Sequence, residues 1–121
     1  IPAEYPAVSH YEVVNALAAA ADRLHVPFHV GVTLSIDSDV IGCGRPAVGG
    51  YLQPWNLDVL GVYNRANVLN GDRESAAVVT LSALFGRRGG SVCSVTDNVV
   101  TGERFQAGIA KNIEIDIALE A

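Results

Sequence analysis

Charge is scarce in this chain. Charged residues make up 17% of its 121 residues while 50% are hydrophobic, against about 25% charged in an average globular chain. A body of 12.7 kDa has little interior in which to hide so much apolar surface, so one face is expected to be buried against something else. Basic runs are missing too. With a net charge of -5 and a pI near 5.0, nothing offers a phosphate-tracking patch, which argues against direct nucleic-acid binding. No apolar run approaches the roughly 18 residues of a spanning helix, and no secretory leader pattern is visible, so no membrane role is expected. Cysteine is limited to Cys43 and Cys93, without a C-x-x-C spacing. The expectation is two reduced thiols in a cytoplasmic protein rather than a disulfide. His10, His25 and His29 lack a second ligand at helical or strand spacing, so they read as surface or sheet-packed histidines and no metal is expected. There is no internal repeat, low-complexity tract or linker, as for one domain or part of one. The first residue is Ile rather than Met, which suggests a processed or partial chain.

What is present is organised around residues 67–99, NVLNGDRESAAVVTLSALFGRRGGSVCSVTDNV. Val68 and Leu69 read as a short buried strand tip, and Asn70-Gly71-Asp72 as a tight turn with Gly71 free to take positive φ. From Glu74 to Leu84 almost no polar face remains, so the spacing predicts a helix enclosed on most sides. Gly89 and Gly90 end it. Ser91 to Val95 alternates as a buried strand does. A carboxylate on the strand-to-helix turn of so apolar a segment is costly unless something hydrogen-bonds to it. Glu74 either complements the helix dipole from the first turn or accepts both protons of a vicinal diol.

The flanking chain supplies the other elements. Ser9 with Glu12 forms a capping-box pattern, and Tyr11, Val14, Leu17, Ala18, Ala21 and Leu24 recur at helical spacing, so a helix is expected from about His10 to Leu24, stopped by Pro27. Phe28 to Ser35 reads as a central strand. A long glycine-rich loop follows through Gly42-Cys43-Gly44-Arg45-Pro46 to Tyr51, at the end of a strand where α/β folds hold ligands. Pro54 to Ala66 is an amphipathic helix with Trp55 as a core anchor. Asp97 ends the strand after the central helix and is expected to face a pocket, or else to cap the following turn. Residues 101–105 form a polar loop. Ala110 to Ala121 closes as a helix with Ile113, Ile115, Ile117 and Ala118 inward, although the alternating isoleucines also permit a strand.

Taken together, PAVSHYEVVNAL, HVGVTLSIDS, GRPAVGGYLQ, LNGDRESAAVVTLSALFGRRGG and SVCSVTDNVVTGERF resemble the nucleoside phosphorylase family, and within it the uridine phosphorylases, over nearly the whole chain. The resemblance implies an α/β fold, a three-layer αβα sandwich around a mixed sheet, of which residues 1–121 would be the C-terminal portion. It also implies dimers stacked into larger rings, hence a homo-oligomer or larger assembly. The implied reaction is phosphorolysis of a nucleoside, with inorganic phosphate as co-substrate and no cofactor.

In the family pattern a Glu-Met-Glu-Ser turn holds the ribose hydroxyls with its second Glu and lays the Met under the sugar. Glu74 and Ser75 keep that pattern, with Asp72 and Arg73 before them, so Glu74 and Arg73 become the ribose-binding candidates. The loop after the central strand carries a Phe-Tyr pair over the base and a Gln-x-Arg that reads uracil. Arg45 is kept, whereas Asp39-Val40 replaces the aromatic pair and Cys43 the Gln. Arg45 and Cys43 are the base-binding candidates, with a loop arginine paired to a local acid as the plain alternative for Arg45. Asp97 stands where purine-type members protonate the leaving base, and is the catalytic candidate. Val99 occupies the place of an arginine in pyrimidine-type members. The family's phosphate-binding arginines and glycine loop belong to its N-terminal half and a neighbouring subunit, and neither Arg87 nor Arg88 lies in a phosphate-loop context. Two functions therefore stand side by side: the C-terminal portion of a working phosphorylase, or an inactive paralogue retained as an assembly subunit.

Overall fold

The computed structural model describes residues 1–104 and 112–121. It is a small α/β chain that divides into two compact units.

The first unit comprises Ile1–Val30, Glu74–Ser94 and the C-terminal segment. It contains helices α1 (Tyr11–Arg23), α3 (Ser75–Leu84) and α4 (Ile113–Glu120). Helix α1 starts one residue later than the capping-box pattern suggests: His10 is the N-cap, its Nδ1 accepting the Glu12 amide at 3.3 Å. Pro27 is not what stops it. His25 takes a left-handed φ of 56°, and the amides of His25 and Val26 bond back to the carbonyls of Asp22 and Ala21, a Schellman ending. Ala20 and Ala21 are buried against Ile117 of α4, with Leu17, Val26, Val92 and Ile113 packed around them. Small alanines let two helices approach closely. At the rim Arg23 closes on α4 through Glu120, 2.8 Å to Oε1 and 2.8 Å to its carbonyl.

Helix α4 resolves the ambiguity of the alternating isoleucines in favour of a helix. Ile113 and Ile117, four apart, share the packed face. Ile115 lies half exposed and Ala118 is exposed, contrary to the inward placement expected of both. The expected start of this helix at Ala110, like Phe105 of the polar loop, lies outside the described residues.

Helix α3 also departs from expectation. Only Ser75 and Val79 are buried, while Val78, Leu81, Leu84 and Phe85 remain roughly half exposed or more. A helix that is apolar all round needs neighbours on every side, and the described chain supplies them on one. It ends at Gly86 rather than at Gly89-Gly90. Gly86, at φ 64°, bonds back to Ala83, and Arg87 to Ser82, again the Schellman pattern. Gly89 and Gly90 instead admit α1: the His10 amide donates to the Gly89 carbonyl at 2.7 Å, and a Cβ on Gly90 would stand 2.6 Å from Val13 Cγ1. Residues 91–94 alternate exposed and half-buried, the period of a strand, but form no ladder among the described residues. Cys93 is exposed rather than in a core strand.

The second unit spans Gly31–Arg73 and the segment 95–104. Strands β1 (Val32–Ser35) and β2 (Val68–Asp72) pair in parallel, in the register Val32↔Val68, Thr33↔Asn70, Leu34↔Gly71, Ser35↔Asp72. Asn70-Gly71-Asp72 is therefore strand, not turn. A parallel partner supplies the hydrogen bonds that a turn would otherwise have provided, and Gly71 has no positive φ. The strand expected from Phe28 shortens to Val32–Ser35 and stands in a two-stranded sheet, with Val32 exposed, not in a central position. The crossover between the strands holds short 3₁₀ turns at Ile41–Cys43, Val48–Gly50 and Pro54–Asn56, then helix α2 (Val59–Arg65) against β2. The single helix expected from Pro54 to Ala66 is thus broken, and Trp55, 72% exposed, anchors no core among the described residues. Among the described residues no helix is long and apolar enough to cross a membrane.

Candidate functional site

The C-terminal ends of two adjacent parallel strands are where an α/β sheet holds a ligand, because loops diverge there and leave a crevice. In the second unit that end is built from β1 and β2. The Thr33 hydroxyl donates to Asn70 Oδ1 at 2.7 Å, and two residues on, on the same face, the Ser35 hydroxyl donates to Asp72 Oδ1 at 2.7 Å. The Ile36 amide then bonds to the Asp72 carbonyl at 2.8 Å. These ties fix where the two strands leave the sheet. From β1 departs the glycine-rich loop, and from β2 depart Arg73 and, next in the chain, Glu74.

Arg73 reaches across to the loop. Its Nη1 lies 3.5 Å from Asp39 Oδ2, with the two side chains 57% and 64% exposed. An exposed pair of this length contributes at most about 1 kcal/mol. The resemblance implies an aromatic residue in place of Asp39 and a methionine in place of Arg73. The signal available was the coincidence of opposite charges entering at two sites that flank one strand end.

The loop places the base-binding candidates on a stiff turn. Cys43 ends the Ile41–Cys43 turn and is half-buried, its amide 3.2 Å from the Val40 carbonyl. Gly44 follows at φ 69°, and a Cβ there would stand 2.9 Å from the Asn56 carbonyl oxygen, so the position requires glycine on two counts. Arg45 is exposed, its amide bonded to the same Val40 carbonyl at 2.9 Å. Among the described residues its guanidinium makes no ion pair, so the alternative of a loop arginine held by a local acid is not what the structure contains.

Asp97 lies on the exposed segment 95–104, in an antiparallel bridge with Arg104, and accepts the Thr96 hydroxyl at 3.3 Å. It does not cap the following turn. Asn98 does, its Oδ1 accepting the amides of Val100 and Thr101 at 3.0 and 3.2 Å. The short amide side chain one position on forms that turn, the role that was the alternative expectation for Asp97.

Glu74 belongs to the first unit, where it is the N-cap of α3 with φ -114° and ψ -34°. Its carbonyl accepts the Val78 amide at 3.1 Å, and its carboxylate makes no capping bond. It is exposed, so the burial cost expected for this carboxylate does not arise within the described chain. A carboxylate in that place offers acceptor lone pairs beside the positive end of a ten-residue helix.

No family model matches the chain. Curated relatives do, and the chain is a relative of the nucleoside phosphorylases. It is 42% identical over 105 residues to the uridine phosphorylase of Thermococcus kodakarensis, covering 87% of this chain and 38% of that protein. It is 32% identical over 124 residues to the uridine phosphorylase of Escherichia coli, covering 99% and 49% respectively. The guanosine phosphorylase of Halorubrum lacusprofundi is 32% identical over 101 residues, covering 84% and 36%. The chain thus spans between about a third and a half of the length of these relatives.

Proposed function

We propose that this chain is the C-terminal portion of a nucleoside phosphorylase that, with its remaining part, cleaves uridine or a related nucleoside. In that reaction a phosphate oxygen bonds to the anomeric carbon as the glycosidic C–N bond breaks. The base leaves with a proton, and ribose 1-phosphate forms. The observation that carries the reading is 42% identity to a uridine phosphorylase over 87% of the chain. Similarity to a guanosine phosphorylase leaves the base open between pyrimidine and purine.

In this reading Glu74 takes the two ribose hydroxyl protons with Arg73 beside it in the chain, Arg45 and Cys43 face the base, and Asp97 donates the proton to the leaving ring. Positioning and charge provide the catalysis. Inorganic phosphate is the co-substrate and no cofactor takes part. The whole is a three-layer sandwich assembled as a cytoplasmic oligomer.

Phosphorolysis of uridine, inosine and guanosine by the full-length protein tests the activity, and Glu74→Ala tests the site. Losing two charge-assisted hydrogen bonds should weaken nucleoside binding by at least about 30-fold, with an unchanged melting midpoint because the side chain is exposed. Unaltered nucleoside affinity removes Glu74 from the site.

A second reading, an inactive paralogue that serves as an assembly subunit, is favoured by the apolar surface left open on α3 and at its C-cap Phe85, which is 76% exposed. It requires that the full-length protein bind no nucleoside and purify in a stoichiometric complex.

A further inference from the structure

A cavity of about 340 Å³ opens in the helical unit where the entry to α1 meets the exit from α3. That volume is enough for a small organic molecule. Its lining combines the apolar Val8, Val79 and Ala83 with the hydrogen-bond donors His10, Arg87 and Arg88. Val79 and Ala83, four apart on α3, share one helix face. Glu74, the sugar-holding candidate, stands at the opposite end of the same ten-residue helix, roughly 15 Å away along its axis.

The donors here outnumber the acceptors that engage them. Arg88 gives one N–H to Glu12 at 2.7 Å, and a guanidinium has four more to offer. His10 Nδ1 accepts the Glu12 amide at 3.3 Å, which leaves the ring proton on Nε2. The Arg87 amide is fixed on the Ser82 carbonyl at 2.7 Å, and among the described residues its guanidinium has no hydrogen-bond or ion-pair partner. Neither arginine is thus occupied by the last carbonyls of α3. The partial charges of the two helix ends are opposite in sign and offset one another, so the side chains decide the polarity. Glu12 balances one guanidinium and the other is left uncompensated.

We infer that this cavity binds a small phosphomonoester, with Arg87, Arg88 and His10 holding the phosphate and Val8, Val79 and Ala83 holding the organic body. The planar guanidinium fork matches phosphate geometry, and three terminal oxygens can serve three donors where a carboxylate has two. The apolar residues ask for a body that inorganic phosphate lacks. Arg88 need not leave Glu12, because its remaining donors are available. The inference goes beyond the phosphorylase reading and does not depend on it: the site stands equally in a chain that turns over no nucleoside.

The test is calorimetric titration of the full-length protein with phenyl phosphate and, separately, with inorganic phosphate. Arg87→Met is expected to weaken phenyl phosphate binding at least about 10-fold through loss of a charge-assisted fork. Its melting midpoint should not change, because Arg87 is exposed. Arg87→Lys should fall between, since a point charge replaces the fork. Ala83→Leu fills the apolar part of the cavity and is expected to weaken phenyl phosphate by a similar factor while inorganic phosphate binding holds. Glu74→Ala should leave phenyl phosphate affinity unaltered. Unchanged affinity in Arg87→Met, or a wild-type protein that does not bind phenyl phosphate at millimolar concentration, overturns the inference. Equal Arg87-dependent affinity for inorganic phosphate shows that the oxyanion alone is recognised and overturns the assignment to a phosphomonoester. A loss in Glu74→Ala as large as in Arg87→Met puts the probe at the proposed nucleoside site and overturns a second one. Phosphorolysis assayed on the same variants is a separate readout: its absence defeats the phosphorylase reading and leaves the Arg87-dependent site standing.

Discussion

Ala20, Ala21, Ser75, Val79 and Ile117, the buried residues among those described, all belong to the helical unit, whereas the strand-bearing unit contains no residue buried to that degree. The first is held by apolar packing. The second is held by polar ties along one strand pair, Thr33 to Asn70 and Ser35 to Asp72, with the exposed pairs Arg73–Asp39 and Arg65–Asp58 around it. Yet the second carries Cys43, Arg45, Arg73 and Asp97, four of the five candidate site residues. Segments with few buried apolar contacts open most readily, and ligand-binding loops are drawn from them. Exchangeable polar groups need solvent access, and the difference between the units supplies it.

The largest effect that could break this contrast is a cavity in the helical core. Ile117→Ala should cost about 2–4 kcal/mol, read from the denaturation midpoint of the full-length protein, because the buried methyl groups leave a void between α1 and α4. The matching truncation in the other unit, Leu34→Ala, removes a half-buried side chain and should cost roughly half as much. If the two are equal, Leu34 is buried in the full-length protein by something beyond the described residues, and the contrast belongs to the chain alone.

How much of this was legible in sequence follows from which interactions are local. The helices α1 and α3 were readable from spacing, since a helix satisfies its own backbone, whereas the alternating isoleucines left α4 open between helix and strand. Their ends were misread wherever a left-handed residue rather than Pro or a glycine pair did the stopping, as at His25 and Gly86. The turn expected at Asn70-Gly71-Asp72 failed for a different reason. Its composition favours turns, but β1, more than 30 residues earlier, offers a ladder, and tertiary pairing outweighs local propensity. Burial was least legible of all. The apolar character of α3 and of Trp55 was read as enclosure, but enclosure depends on neighbours, and a chain spanning under half of its relatives' length shows apolar faces without showing what covers them. The family resemblance named the site residues. The Arg73–Asp39 pair, a contact across 34 positions, became visible only in three dimensions.

A smaller effect sharpens the contrast at two glycines. Gly44 in the second unit and Gly86 in the first both hold positive φ, at 69° and 64°. An added Cβ meets the Asn56 carbonyl oxygen at 2.9 Å at Gly44 and nothing within 4 Å at Gly86. Gly86→Ala should therefore show the left-handed penalty alone, about 1 kcal/mol, and Gly44→Ala that penalty plus a backbone clash, about 2 kcal/mol or more. Hydrogen exchange should localise the Gly44 effect to the loop that carries Cys43 and Arg45. Equal costs would mean that the loop shifts to relieve the clash, as a loosely held unit can.

The smallest expected effect concerns Glu12, a carboxylate with a displaced titration in the well-packed unit. Arg88 hydrogen-bonds Glu12 at 2.7 Å and holds its pKa below the usual 4.5, with lesser help from the Tyr11 hydroxyl and His10. A carboxylate whose folded pKa is depressed adds stability above its unfolded pKa and loses that increment as the pH falls through the folded value. The acid limb of the stability profile below about pH 4.5 should thus contain a contribution from Glu12, small because the group is exposed to solvent and screened. Arg88→Ala should move the Glu12 titration, followed by NMR, upward toward the usual value and flatten that limb slightly, while leaving stability near neutral pH almost unchanged. If the Glu12 titration stays low without Arg88, His10 and Tyr11 at the N-terminus of α1 carry the shift instead, and the link between α1 and the segment after α3 rests on the His10–Gly89 backbone bond and on Val13 packing at Gly90.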